Sequence, residues 1–264
     1  MEAVNVIESW LISLSLINLI LLTISLILFM PKEVYKTSFT EFFRIFKEHI
    51  LYLLIIFIVV LFHLIEVNLI DSAVTAWVGY DFAYNIQYIE GDVVSQFSQY
   101  WNPVIVYFFV IIYIAVYPFI LWFSPIYFIV NNKKKSMKTL AYGTLLIYII
   151  SLPFYLFFPI TNVYKFYNLE SALNNAIPAV ENFFYVTTTQ NNCLPSLHVA
   201  MSILIAKSVH LTRNKKLSYF IYFSMASVII SVIYLAIHWI MDVIFGALLA
   251  IVIILLLNYY IKDE

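Results

Sequence analysis

Seven apolar runs divide the chain, at 10–30, 50–70, 104–130, 140–160, 196–211, 217–237 and 242–261, each bounded by charged or turn residues. A helix needs roughly 20 mostly apolar residues to cross the hydrocarbon core of a bilayer, and these runs match that length. The run at 196–211 is the shortest. Because the runs are continuous and do not alternate every second residue, helices and not a β-barrel are expected. The expected fold is therefore all-α, a polytopic membrane helix bundle of about seven spans. Composition agrees: of 264 residues, 64% are hydrophobic and 11% charged. A net charge of −1 offers no basic field for nucleic acid, and no glycine-rich nucleotide-phosphate loop occurs. The single cysteine, Cys193, cannot form an internal disulfide. Residues 1–9 carry acids in place of a basic leader, and the run that follows is long enough to span, so no cleaved signal is expected.

Basic residues in short loops mark the cytoplasmic side of a membrane protein. Lys32, Lys36, Arg44 and Lys47 follow the first run, and Lys133, Lys134, Lys135 and Lys138 follow the third. Lys207, Arg213, Lys215 and Lys216 surround the end of the fifth, and Lys262 follows the seventh. Of 14 basic residues only Lys165 falls on the opposite side, which instead collects Asp71, Asp81, Glu90, Asp92, Glu170 and Glu181 in two longer connections, 71–103 and 161–195. The N-terminus and these connections are expected to be extracytoplasmic and the C-terminus cytoplasmic, most simply in the cell membrane. The 71–103 connection mixes Trp77, Tyr80, Phe82, Tyr84, Tyr88 and Trp101 with acids and amides, a composition suited to one or two helices lying in the headgroup zone.

Two histidines stand at outer ends of runs beside other polar groups. The first closes Asn191-Asn192-Cys193-Leu194-Pro195-Ser196-Leu197-His198. Pro195 and Ser196 fit a helix start, which places His198 in a first turn, near backbone donors and the positive end of the helix dipole, where anions are favoured. The second opens His238-Trp239-Ile240-Met241-Asp242. Four residues of separation put His238 and Asp242 on one helix face, so the carboxylate can hold one ring nitrogen and leave the other for a substrate. An aspartate this close to hydrocarbon is costly without a partner. The bland alternative is that both histidines cap helix ends and Asp242 is satisfied by nearby backbone. His63 and Glu66 form another polar pair at membrane depth, three residues apart on one face: a buried structural pair first, a proton or ion path second. His49 and His210 read as interfacial.

The Pro-Ser-Leu-His string, followed about forty residues later by His-x-x-x-Asp on a glycine-containing helix, resembles the second and third signature motifs of the type 2 phosphatidic acid phosphatase superfamily. Within it, the chain is most similar to the branch of aureobasidin-sensitive inositol phosphorylceramide synthases and their prokaryotic relatives. Leu152-Pro153-Phe154-Tyr155-Leu156-Phe157-Phe158-Pro159 looks like the segment preceding the active-site loop of that branch. The resemblance covers 71–264, read as the catalytic membrane domain with a six-helix phosphatase-type core, while 1–70 supplies two N-terminal transmembrane helices. It implies that His238 attacks phosphorus and is transiently phosphorylated, that Asp242 orients it, and that His198 protonates the departing oxygen. Imidazoles suit both tasks near neutral pH. It implies no metal and no cofactor.

One departure matters. The wider superfamily carries a Lys and an Arg in its first motif and an Arg six residues before the nucleophile; here no Lys-x6-Arg-Pro string occurs and Val232 holds the last position. An arginine-poor third motif is shared with the phosphotransferase branch. Phosphate binding then falls to Lys165, Ser196 and backbone donors, with Tyr164 and Asn192 as further candidates; Lys165, the lone outer cation, serves equally as a lipid-headgroup contact. The expected function is a lipid phosphate phosphatase or phosphotransferase, with water or a polyol accepting from the phosphohistidine, inositol phosphate headgroup transfer included. The rival is a non-catalytic transporter or lipid-binding protein on the same scaffold. Convergence of His198, His238 and Asp242 on one pocket separates the two.

Overall fold

The computed structural model describes residues 2–98, 100–178 and 180–261. Met1 and Lys262, both used above, lie outside the described residues. Among those described, seven helices build a bundle: α1 (Glu2–Phe29), α2 (Phe39–Val78), α3 (Pro103–Val130), α4 (Lys134–Phe157), α5 (Leu197–His210), α6 (Lys215–Tyr234) and α7 (Ile240–Tyr260). No strand occurs among them, only an isolated bridge between Ile160 and Asn192. Six of the seven are long and apolar enough to cross a membrane, and the protein is integral to one. The exception is α5. Its 14 residues reach about 21 Å, short of a hydrocarbon core of about 30 Å.

Local signals explain most boundaries. Asn102 accepts from the Val104 amide ahead of Pro103 at the start of α3, Ser196 accepts from Val199 at the start of α5, and Asn214 accepts from Leu217 at the start of α6. Each satisfies a backbone donor that the helix itself leaves free. Helix α2 differs most from the sequence reading. It spans 40 residues, about 60 Å, where an apolar run of half that length was expected. Ser38 caps it early, through the Glu41 amide, and the charged stretch 41–48 continues the helix because Glu, Arg and Lys are good helix formers. At its other end a π-helical turn, Glu66–Ile70, carries the chain on to Val78, where Gly79 at φ 65° stops it. The expected boundary at 70/71 falls inside this helix. The connection after it, expected to carry one or two helices, holds two short ones, Ala83–Glu90 and Val93–Ser98.

Hydrogen bonds identify which connections share an end of the bundle. Asn214, between α5 and α6, donates to the Phe29 carbonyl and to the Tyr127 hydroxyl, and Asn131, between α3 and α4, reaches Met30. These loops hold the lysine clusters. At the opposite end Trp101 donates to the Tyr234 carbonyl, Trp239 to the Thr161 carbonyl, and the Phe82 amide to Pro159. Helix α5 is the hub, packed on α4, α6 and α7 and touching α3, with Val199, Ala200, Leu204, Ile205 and Val209 fully enclosed. Large apolar side chains such as Ile27, Phe57 and Leu255 face outward, as lipid-facing helices require. His49 departs from expectation: it is fully buried, with Nδ1 bonded to the Ile45 carbonyl at 2.8 Å, whereas His210 is exposed and pairs with Tyr222.

Candidate active site

Two chain reversals at the acid-rich end bring the motifs together. Helix α6 ends where the amides of Ile237 and His238 both donate to the Val232 carbonyl, the position at which an arginine was sought. Ala236 takes a left-handed conformation there, φ 55°. His238 thus projects just ahead of α7, whose first turn carries Asp242. The Asp242 Oδ2 accepts from His238 Nδ1 at 3.2 Å and from the Trp239 amide at 2.9 Å, so one carboxylate oxygen both caps α7 and orients the ring. A neutral ring that donates its Nδ1 proton to this carboxylate leaves Nε2 free as a nucleophile. Both residues are buried.

The second reversal delivers His198 beside it. Ser196 donates its amide to the Asp242 carbonyl at 3.0 Å, and Tyr155 on α4 donates to the Pro195 carbonyl at 2.6 Å. Gly246 allows the crossing: a Cβ there would stand 2.6 Å from the Ser196 carbonyl oxygen. The His198 and His238 rings end 5.8 Å apart, centroid to centroid, at 61°. Tyr113 and Tyr117 of α3 flank His198 at 4.6 and 4.8 Å.

Both histidines line one cavity of about 490 Å³. Its lining is polar at Asn162, Asn192 and Tyr185 and apolar at Leu14 from α1, Val59 and Val60 from α2, and Ile114, Pro118 and Leu121 from α3. No lysine or arginine lines it among the described residues.

The four substrate-binding candidates separate. Asn192 lines the cavity. Ser196 is fully buried as the cap of α5 and is not a lining residue. Tyr164 is buried, bonded to the Tyr185 hydroxyl, and burial pushes its phenol up to about 12. Tyr164 and Lys165 border a different depression with Glu170, Glu181 and Gln190, so Lys165 does not line the cavity of the histidines.

Sequence reasoning missed several neighbours. Asn162 caps a helical turn at Val163–Phe166, a signal visible in the sequence, and lines the cavity. Glu90 accepts from the amides of Ile240 and Met241, capping α7 from the end of a short helix 150 residues away. Burial raises its carboxyl above the ordinary 4.5, against the two amides that lower it. Burial likewise raises the Cys193 thiol. Donor atoms of Cys193, His238 and Asp242 lie within 4.8 Å of one another, the grouping among the described residues with the reach to hold a metal ion.

Fold and site together define a polytopic membrane protein with an enclosed His–His–Asp cluster at one face. Residues 92–256 match the PAP2 superfamily, and the chain belongs to it. Members of that superfamily are generally phosphatases. Over 68 residues the chain is 43% identical to an uncharacterized protein of Methanocaldococcus jannaschii, a stretch covering 25% of this chain and 27% of that relative. No solved structure matches.

Proposed function

We propose that the protein transfers the phosphoryl group of a lipid phosphate through a phosphohistidine, with His238 as nucleophile, Asp242 as its orienting partner and His198 as general acid. The observation that carries this reading is the pair of imidazoles bordering one cavity, one of them fixed by a carboxylate at 3.2 Å. The Nε2 lone pair of His238 forms a bond to phosphorus as the bond from phosphorus to the lipid-side oxygen breaks, and that oxygen takes the proton of His198. An acceptor hydroxyl then attacks, the phosphorus–nitrogen bond breaks, and the proton passes to His198. Water as acceptor gives hydrolysis; an alcohol gives transfer. The first turn of α5 supplies backbone donors and a favourable dipole for the phosphate, and the apolar part of the lining fits a hydrocarbon chain.

Placement in the inositol phosphorylceramide synthase-like branch is supported by the cavity's lack of lysine and arginine, in line with the arginine-poor third motif. The lysine-rich loops at the far end of the bundle support an extracytoplasmic site. Convergence of His198 and His238 on one cavity favours an enzyme over a transporter on the same scaffold.

Purified protein assayed with phosphatidic acid, a polyprenyl phosphate and a phosphoinositol lipid should release or transfer phosphate, and should trap an acid-labile phosphorylated species. His238→Ala should abolish both. Equal behaviour of wild type and this variant on every active substrate rules the nucleophile out.

A further inference from the structure

The single cysteine of the chain is held against the His238–Asp242 pair from both sides of its own segment. Before it, the amides of Ile160 and Asn162 donate to the carbonyls of Asn191 and Gln190, each at 2.7 Å. After it, the Pro195 carbonyl accepts from Tyr155 and the Ser196 amide donates to the Asp242 carbonyl. Cys193 is thereby fixed in the cavity lining beside His238, with its Sγ 3.9 Å from the Gln190 and Ile237 carbonyls. A thiol is a weak donor and these contacts are long, so they do little to hold its rotamer.

Three different ligand types converge there. Donor atoms of Cys193, His238 and Asp242 all lie within 4.8 Å of one another, and His238 Nδ1 is 3.2 Å from Asp242 Oδ2. Metal–ligand bonds of about 2.0–2.3 Å in a tetrahedral site put neighbouring ligand atoms about 3.3–3.6 Å apart. The imidazole and carboxylate already have that separation, and the approach left to the thiol is about 1 Å, the size of a partial turn about its Cα–Cβ bond. Charge favours a cation as well. Asp242 is fully buried, its ion-pair partner among the described residues is His238, and no lysine or arginine lines the cavity. A buried carboxylate and a buried thiolate are both costly until positive charge accompanies them. Calcium and magnesium prefer sets of oxygen ligands, whereas one thiolate, one imidazole and one carboxylate suit zinc, with a fourth position left for water.

We propose that Cys193, His238 and Asp242 form a site for a thiophilic divalent cation of the zinc kind, and that its occupancy withdraws His238 from reaction. On binding, the thiol proton leaves to solvent and the sulfur, one ring nitrogen and one carboxylate oxygen each give a lone pair to the metal. Ligation through Nε2 uses the lone pair that would attack phosphorus; ligation through Nδ1 breaks the hydrogen bond that orients the ring. The inhibitory consequence rests on the phosphohistidine reading above; the binding does not.

The test is titration of the full chain in detergent with Co²⁺ as a coloured stand-in for Zn²⁺. Wild type should show a saturable thiolate-to-cobalt charge-transfer absorption that Zn²⁺ abolishes, and because the chain has one cysteine, that signal reports Cys193 alone. Cys193→Ala should lose the band, and Asp242→Asn should bind Co²⁺ about tenfold more weakly. Cys193→Ser keeps the size of the side chain and carries the comparison if Cys193→Ala fails to fold. Absence of the band in wild type, or Zn²⁺ affinity unchanged in the folded Cys193 variant, overturns the site. With turnover as readout, Zn²⁺ should inhibit wild type, and Cys193→Ala should retain basal activity yet need about tenfold more Zn²⁺. Full turnover at saturating Zn²⁺ overturns the inhibition. A charge-transfer band without His238-dependent turnover keeps the site and removes the enzymatic reading, whereas His238-dependent turnover without the band does the reverse.

Discussion

Asp242 serves two structures with one oxygen, closing the first turn of α7 and fixing the tautomer of His238. Asparagine keeps the shape but offers a neutral partner that no longer favours a charged ring, so Asp242→Asn should lower kcat by about 10²–10⁴ with little change in KM, read as phosphate release. This pair was legible from sequence because its members are only four residues apart, although His238 lies just ahead of α7 and not within it. Glu90 was not, since the amides it caps belong to a distant segment and no local pattern announces such a contact. Its raised carboxyl makes a further prediction. The folded state holds the Glu90 proton more tightly than the unfolded chain, so this group's contribution to stability is greatest below about 4.5 and is lost as pH rises toward the folded value. Thermal unfolding midpoints measured across that window should fall with pH in wild type by more than in Glu90→Gln.

At the scale of elements, the two motifs meet because helices cross closely. Gly246 faces backbone, the Ser196 carbonyl, which cannot step aside. Gly143 on α4 faces the end of the Leu204 side chain, which can. Gly246→Ala should therefore destabilise by about 1–3 kcal/mol and reduce turnover by parting His198 from His238, while Gly143→Ala should cost less and leave turnover near wild type. Denaturant or thermal unfolding in detergent, paired with phosphate release, distinguishes the two. The glycine in the seventh run was visible in the sequence, but not the backbone it would meet. Helix positions were legible from apolar runs and capping residues. The reach of α2 was not, because its ends are polar and are held by contacts rather than by hydrophobicity: Asn68 donates to the Val186 carbonyl and Asn191 donates to Thr75. Those contacts, with Glu66 and Asn192, tie a helix outside the matched 92–256 region to the loop that presents His198.

For the whole molecule, the expected orientation follows from the lysine loops, which the fold gathers at one end. Cysteine labelling from outside intact cells checks it. Tyr88→Cys, at an 89% exposed position of the acid-rich end, should react with a membrane-impermeant maleimide, and Lys134→Cys should not until the membrane is opened. Cys193 is buried and contributes little background. The brevity of α5 has a consequence for how such a protein sits among lipids. A hub helix about a third shorter than the oily layer around it is expected to hold His198 beneath the plane of neighbouring phosphates, to which a substrate would have to descend. Thicker host bilayers deepen that descent, and turnover in reconstituted vesicles should decline as host acyl chains are lengthened.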